Sequence, residues 1–290
     1  LKKAIMYFHI EHQLQFKYTK PVFIEPTIVR LRPRSDSWQE LLSFKIEISP
    51  SPQGSTESNG LDGTPTSLLW FQGLTNSLSI KTISQVRTLR QNPFDFILPE
   101  KQLLPFDYPL YYGNTLSPYL QRKISSVPVT QFARKLMIEV NHDPTAFPGL
   151  LAARINKICN IEFREHGDPL PPEKVLAGQP AACRDLAALF MDVCRSAGLA
   201  SRFTSGYYYL DTEAPERELH AWAEVYFPGA GWRGYDPTHG LTISDHHVAV
   251  ASSSDPILAA PTHGTLRGTG AIAKMDYEIS IQVSETTPVM

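Results

Sequence analysis

The sequence predicts an α+β protein: an antiparallel β domain, a proline-rich connection, and a second unit in which helices precede another antiparallel sheet. Three observations carry this. Apolar and polar residues alternate near the N-terminus, apolar residues recur at three and four spacing between about 129 and 197, and strand-like runs joined by a glycine-containing loop follow. With 290 residues the chain has room for two domains. The boundaries read as 1–91 for the β domain, 92–128 for the connection and 129–290 for the second unit with its C-terminal strands.

The first element is the clearest. Phe8, Ile10, Leu14, Phe16 and Tyr18 alternate with Tyr7, His9, Glu11, Gln13, Gln15 and Lys17, a strand with one apolar face. Further strands are expected at Val22–Leu31, Leu41–Ile48, Ser67–Phe71 and Ser77–Val86, and Ser49–Gly63 reads as turn. Between 92 and 128, Pro93, Pro99, Pro105, Pro109, Pro118 and Pro128 interleave with aromatics. Proline at that density argues against a helix or central strand, and the aromatics argue for an extended segment packed on a surface. Helices are expected at Val129–Val140, Pro148–Asn160 and Ala181–Ala197, the last stopped by Gly198. Strands resume at Leu199–Leu210, His220–Phe227 and Trp232–Tyr235, with weaker candidates at His247–Ala251 and Tyr277–Val283.

Composition narrows the function classes. Hydrophobic residues make up 42% and charged residues 19%, a globular balance. Lys and Arg number 27 against 29 Asp and Glu, with no basic stripe, so no nucleic-acid partner is expected. No apolar run approaches the ~18 residues of a membrane span, and Leu1–Ile5 does not open a signal peptide. Cys159, Cys183 and Cys194 are too few for a disulfide framework and form no Cys-x-x-Cys pair, which suits a reducing, cytoplasmic setting. No phosphate-binding loop, dinucleotide fingerprint or calcium loop occurs, so no cofactor is expected. His239, His246, His247 and His263 show no metal-ligand spacing, so no metal is expected either.

Chemistry concentrates in three residues. Cys183 lies at the first turn of the strongest helix, where unpaired N–H groups stabilise a thiolate. A thiol nucleophile needs a base, and the base an orienting acceptor. His220 opens one strand and Asp236 closes the next, across Pro228–Gly231. With a three-residue loop, Phe227 faces Gly231 and His220 shares a face with Asp236; a four-residue loop would separate them. Taken singly, Cys183 could be a buried hydrophobe, His220 a solvated strand end and Asp236 a turn residue; together they favour catalysis. Gln179 is a candidate oxyanion donor beside the Cys183 backbone N–H, and Trp222 a candidate wall of the acyl site. Glu213, Glu216 and Glu218 form an acidic loop near His220.

These motifs resemble the bacterial transglutaminase-like family. Ala182-Cys183-Arg184-Asp185-Leu186-Ala187 is similar to its nucleophile helix. Ser205-Gly206-Tyr207, His220-Ala221-Trp222-Ala223-Glu224 and Asp236-Pro237-Thr238 resemble its later motifs in the same order. Tyr18-Thr19-Lys20-Pro21-Val22 and Arg30-Leu31-Arg32-Pro33-Arg34 resemble the β domain that often precedes this core. The chain departs from the pattern just before the nucleophile, where Gln179-Pro180-Ala181-Ala182 replaces the usual glycine, and in lacking the later Gly-Arg-Asp-Tyr segment. The resemblance implies a papain/transglutaminase-like core with a triad of Cys183, His220 and Asp236. It also implies acyl transfer on a peptide or protein substrate. Hydrolysis by a cysteine protease is the favoured outcome; transamidation and a non-catalytic peptide-binding scaffold are the alternatives.

Overall fold

The computed structural model describes residues 5–98, 100–164, 167–210, 219–268 and 270–285; the acidic loop with Glu213, Glu216 and Glu218 lies outside them. The N-terminal alternation becomes one long strand, β1 (Tyr7–Ile24), with every second residue buried over its first half. It is followed by β2 (Thr27–Val29), β3 (Gln39–Ser49), β4 (Gly54–Asn59), β5 (Pro65–Trp70) and β6 (Thr75–Thr88). β4 falls in the stretch read as turn. Its side chains are almost all exposed, so no apolar pattern marks it, and backbone pairing to β5 holds it.

The connection holds a helix that its prolines argued against. α1 (Leu110–Leu120) forms with Pro118 inside it. Pro109 sets the start, and Pro118 lies in the last turns, where the bond it forfeits is to the carbonyl of exposed Asn114. Next come α2 (Val127–Glu139), α3 (Phe147–Ile158), the short α4 (Pro172–Leu176) and α5 (Cys183–Ser196). The chain then runs through β7 (Ser201–Tyr208), β8 (Leu219–Phe227), β9 (Gly231–Asp236), β10 (Leu241–Thr242) and β11 (His247–Ser253). A 3-10 turn at Pro256–Ala259 leads to β12 (Thr262–His263), β13 (Leu266–Arg267) and β14 (Ala273–Ser284).

The strands form three sheets. One has the order β13-β1-β6-β3, with β14 also on β1; a second runs β10-β9-β8-β7-β11; the third runs β12-β2-β5-β4. α5 packs on β8 and β7 and against α2, α3 and α4, and Leu186, Leu189, Phe190 and Val193 are fully buried in the largest core cluster. Its C-terminus is a Schellman motif: Leu199 N–H donates to the Cys194 carbonyl and Gly198 N–H to that of Arg195. Gly198 has φ +76°, and a Cβ there would sit 2.4 Å from Phe106 O. That close approach seats the connection, whose Tyr108 hydroxyl donates to the Tyr226 carbonyl at 2.6 Å and accepts from Ala200 N–H at 3.0 Å.

The second sheet is tied to the first sheet and to the segment between β2 and β3. Phe8, Ile10 and Val86 pack against Tyr207, Val248 and Val250. Arg34, the last residue of the Arg-Leu-Arg-Pro-Arg motif, reaches Glu224 on β8 at 2.8 Å and Ser252 on β11 at 2.6 Å. The last strand departs from the 129–290 partition. β14 pairs along β1 from Tyr7↔Ser284 to Tyr18↔Ala273, so it belongs to the first sheet. No local pattern reports a pairing between opposite ends of a chain.

Candidate active site

The site begins with the start of α5. Cys183 is its first residue, so its N–H has no partner within the helix. Ala182 has no side-chain acceptor to cap the helix. Asp185, wholly buried one turn on, accepts Ala182 N–H at 2.7 Å and thereby performs half of a capping box. The other oxygen of Asp185 accepts Arg164 Nη2 at 2.6 Å and Leu170 N–H at 2.8 Å. Asp185 therefore pins the preceding loop to the helix start and fixes where Cys183 emerges.

The hairpin has the three-residue loop: Phe227 pairs with Gly231 and Ala223 with Tyr235. The parity puts His220 and Asp236 on one face, and His220 Nε2 lies 2.7 Å from Asp236 Oδ2. Cys183 neighbours the same imidazole and helps to raise it. With Nε2 engaged by Asp236, Nδ1 is the ring nitrogen left for the thiol. Both His220 and Asp236 are buried, at 6% and 0% exposure. Burial works against charge on His220, but Asp236, together with Cys183, outweighs it and holds the imidazole well above its ordinary value. Burial likewise opposes charge on Asp236, and its histidine neighbours hold it well below the usual carboxylate range. Burial pushes the Cys159 thiol up to about 11 and Cys194 well above its ordinary value.

Asp236 is held from every side. Its Oδ1 accepts the N–H groups of Thr238 and His239 at 2.9 and 3.3 Å, an Asx turn that ends β9. Its Oδ2 also meets His247 Nε2 at 3.2 Å. Burial outweighs the carboxylate here, and His247 is lowered to about 4, so it is neutral. Sequence reasoning did not single out His247 for this site, because β11 pairs with β7 and is separated from β9 by two strands, so no local pattern links His247 to Asp236. His220, Asp236 and His247 are the group among the described residues that could hold a metal, their donor atoms all lying within 4.8 Å. Both imidazoles address one carboxylate oxygen at hydrogen-bond distance, 2.7 and 3.2 Å.

Cys183 and His220 open onto a cavity of about 430 Å³. Its walls come from the 161–169 loop, β7, the 256–262 segment and, from the first sheet, His12, Leu14, Met275 and Tyr277. The other two candidates lie elsewhere. Gln179 is exposed and does not line the cavity. Trp222 is buried in a separate cluster with Ile243 and Ala249, edge-on to His247 at 5.1 Å between ring centroids. Trp222 also explains Gly206: a Cβ there would lie 2.6 Å from the indole and 2.1 Å from the Val248 carbonyl oxygen. Trp222 Nε1 and His247 Nδ1 have no hydrogen-bond partner among the described residues.

Comparison with known proteins matches two family models. Residues 8–87 fit the bacterial transglutaminase-like N-terminal region, and residues 135–237 fit the transglutaminase-like superfamily. An uncharacterised protein of Mycobacterium leprae is 23% identical over 285 residues, covering 95% of this chain and 97% of that one. The uncharacterised protein YebA of Bacillus subtilis is 32% identical over 71 residues, 21% of this chain and 10% of its own. Among solved structures, a "Putative Cysteine Protease" from Cytophaga hutchinsonii has the same fold, with a TM-score of 0.74 and 19% identity. The match covers 99% of this chain and 94% of that one.

Proposed function

This chain belongs to the transglutaminase-like superfamily, and on that footing we propose that it is a cysteine acyl-transfer enzyme that hydrolyses peptide or amide bonds. The observation that carries the reading is the juxtaposition of Cys183, His220 and Asp236 at the mouth of a cavity. Cys183 Sγ attacks the carbonyl carbon, the C–N bond breaks, and His220 delivers the thiol-derived proton to the leaving amine. The Cys183 backbone N–H, free at the helix start, faces the developing oxyanion. Water then attacks the thioester with His220 as base, releasing the acid and restoring the thiol. Asp236 accepts from His220 Nε2 throughout and so keeps Nδ1 for the reaction.

Transamidation is the second reading. It is favoured by Glu162 and Asp168, carboxylates that line the cavity and could receive an amine. One experiment tests both. The protein is incubated with a peptide library, with and without a primary amine, and products are read by mass. Hydrolysis gives acids in either case, whereas transamidation gives amine adducts. Cys183→Ala should abolish both. In wild type, limiting iodoacetamide should label Cys183 ahead of Cys159 and Cys194. Turnover retained in Cys183→Ala would end the mechanism.

A further inference from the structure

β1 breaks its own pattern at one place. Phe8, Ile10 and Leu14 occupy its buried phase, and between them, in the same phase, stands His12, 2% exposed. A polar ring in an apolar row calls for partners. Nδ1 has one, the Tyr207 hydroxyl at 2.9 Å. Thr82 Oγ1 donates to the His12 carbonyl oxygen, so Nε2 donates when Nδ1 accepts from the phenol and accepts when Nδ1 donates to it. Among the described residues nothing accepts from Nε2, and His12 lines the cavity that holds Cys183.

The surroundings of His12 are apolar. Leu14, Met275 and Tyr277 join it from the first sheet, and Phe203, Ile257 and Ala259 face them. The ionic lining residues, Glu162, Arg164, Asp168 and Arg184, come from the loop before α5 and from its first turn. The charged lining therefore comes from the segment around the start of α5, and the first sheet contributes a mostly apolar wall whose polar members are His12 and Tyr277. Its volume is of the size that holds one or two large side chains.

We propose that the first-sheet end of the cavity is a side-chain subsite in which His12 Nε2 hydrogen-bonds a neutral hydroxyl at the tip of an aromatic side chain, so that the substrate residue it selects is tyrosine. This rests on the reading that a peptide is presented to Cys183. The walls suit an aromatic ring, and a phenol can both donate and accept, so it answers Nε2 in either tautomer. Burial lowers His12 to about 4, which keeps the ring neutral at physiological pH. The first sheet brings no carboxylate to the cavity to receive a lysine, and phenylalanine would leave Nε2 unanswered.

The test measures binding without turnover. Cys183→Ala protein is titrated calorimetrically with N-acetyltyrosine amide and with N-acetylphenylalanine amide. The tyrosine compound should bind about five- to twentyfold tighter, the worth of one buried hydrogen bond. In Cys183→Ala/His12→Phe the preference should vanish while the phenylalanine compound binds as before. Should that variant not fold, nitrogen-15 NMR of Cys183→Ala supplies the reading: the tyrosine compound should shift His12 Nε2, and the phenylalanine compound should not. Equal affinities, binding of neither compound, a preference surviving His12→Phe, or an unmoved Nε2 would each overturn the proposal. Because no turnover is measured, a failure of acyl transfer in wild type would leave the subsite standing, and a failed subsite would leave acyl transfer standing.

Discussion

Two buried carboxylates lie a few residues apart on the second sheet, and their partners set them apart. Glu224 on β8 takes Arg34 and Arg202, with contacts of 2.8 and 2.6 Å. Asp236 on β9 takes His220 and His247. Burial opposes charge on both, and in both the neighbouring groups overcome it; Glu224 ends at about 2. Arginine keeps its proton at every pH the fold survives, so the Glu224 cluster is a fixed clamp between the second sheet and the segment between β2 and β3. Histidine can give its proton away, so the Asp236 cluster can do work. Depth of burial does not distinguish the two; the partner's ability to titrate does.

Replacing Glu224 by Gln should produce the largest stability loss in the molecule. It strands two buried guanidinium groups, at a cost of roughly 3–5 kcal/mol, measured by urea denaturation. A loss under ~1 kcal/mol would mean the arginines are solvated after all. Asp236→Asn should show the reverse profile. Turnover should fall on the order of 10²–10³, because Asn can favour the wrong His220 tautomer, with a smaller stability change than Glu224→Gln. If Asp236→Asn costs more stability than rate, the contrast between the clusters fails.

Acid should separate the two sites next. His12 and His247, each held near 4 against an ordinary value of 6.5, stay neutral in the fold while the unfolded chain takes up protons. Their contribution is intact above about 6.5 and is lost toward pH 4, each at a slope of about 1.4 kcal/mol per pH unit. His220 has the opposite sign: its folded value is raised, so its contribution is complete below about 6.5 and is lost as pH climbs through the folded value. Glu224 contributes fully above its ordinary 4.5, and that contribution is lost progressively between 4.5 and about 2. Urea midpoints that do not fall between pH 7 and 4 would contradict this order. The smallest effect is expected from His247→Leu, which removes one donor to Asp236. Turnover should drop about tenfold with KM unchanged; a drop as deep as that of Asp236→Asn would make His247 an equal member of the site.

Local rules made the juxtaposition of Cys183, His220 and Asp236 legible and left its surroundings dark. Cys183 followed from helix-start chemistry, and the His220–Asp236 pairing followed from counting loop residues, since strand parity is exact at period two. Most strands of the first domain were legible from alternation, but the expected strand Val22–Leu31 is split between the end of β1 and the three-residue β2, and β4, whose exposed side chains carry no pattern, was missed. His247 escaped because its partner belongs to another strand, and β14 because its partner lies at the other end of the chain. α1 escaped because a proline late in an exposed helix removes one hydrogen bond that water replaces. Gln179 and Trp222 were drawn from sequence proximity to the nucleophile and base, and proximity along the chain placed neither at the cavity.

The clasp of β14 on β1 also sets a timetable. Ribosomes make Cys183, His220 and Asp236 well before residues 273–284, yet Met275 and Tyr277 of that last strand line the cavity. A nascent chain can thus carry Cys183 while the cavity beside it still lacks a wall, and that wall closes only once residues 273–284 have been made and have paired with β1.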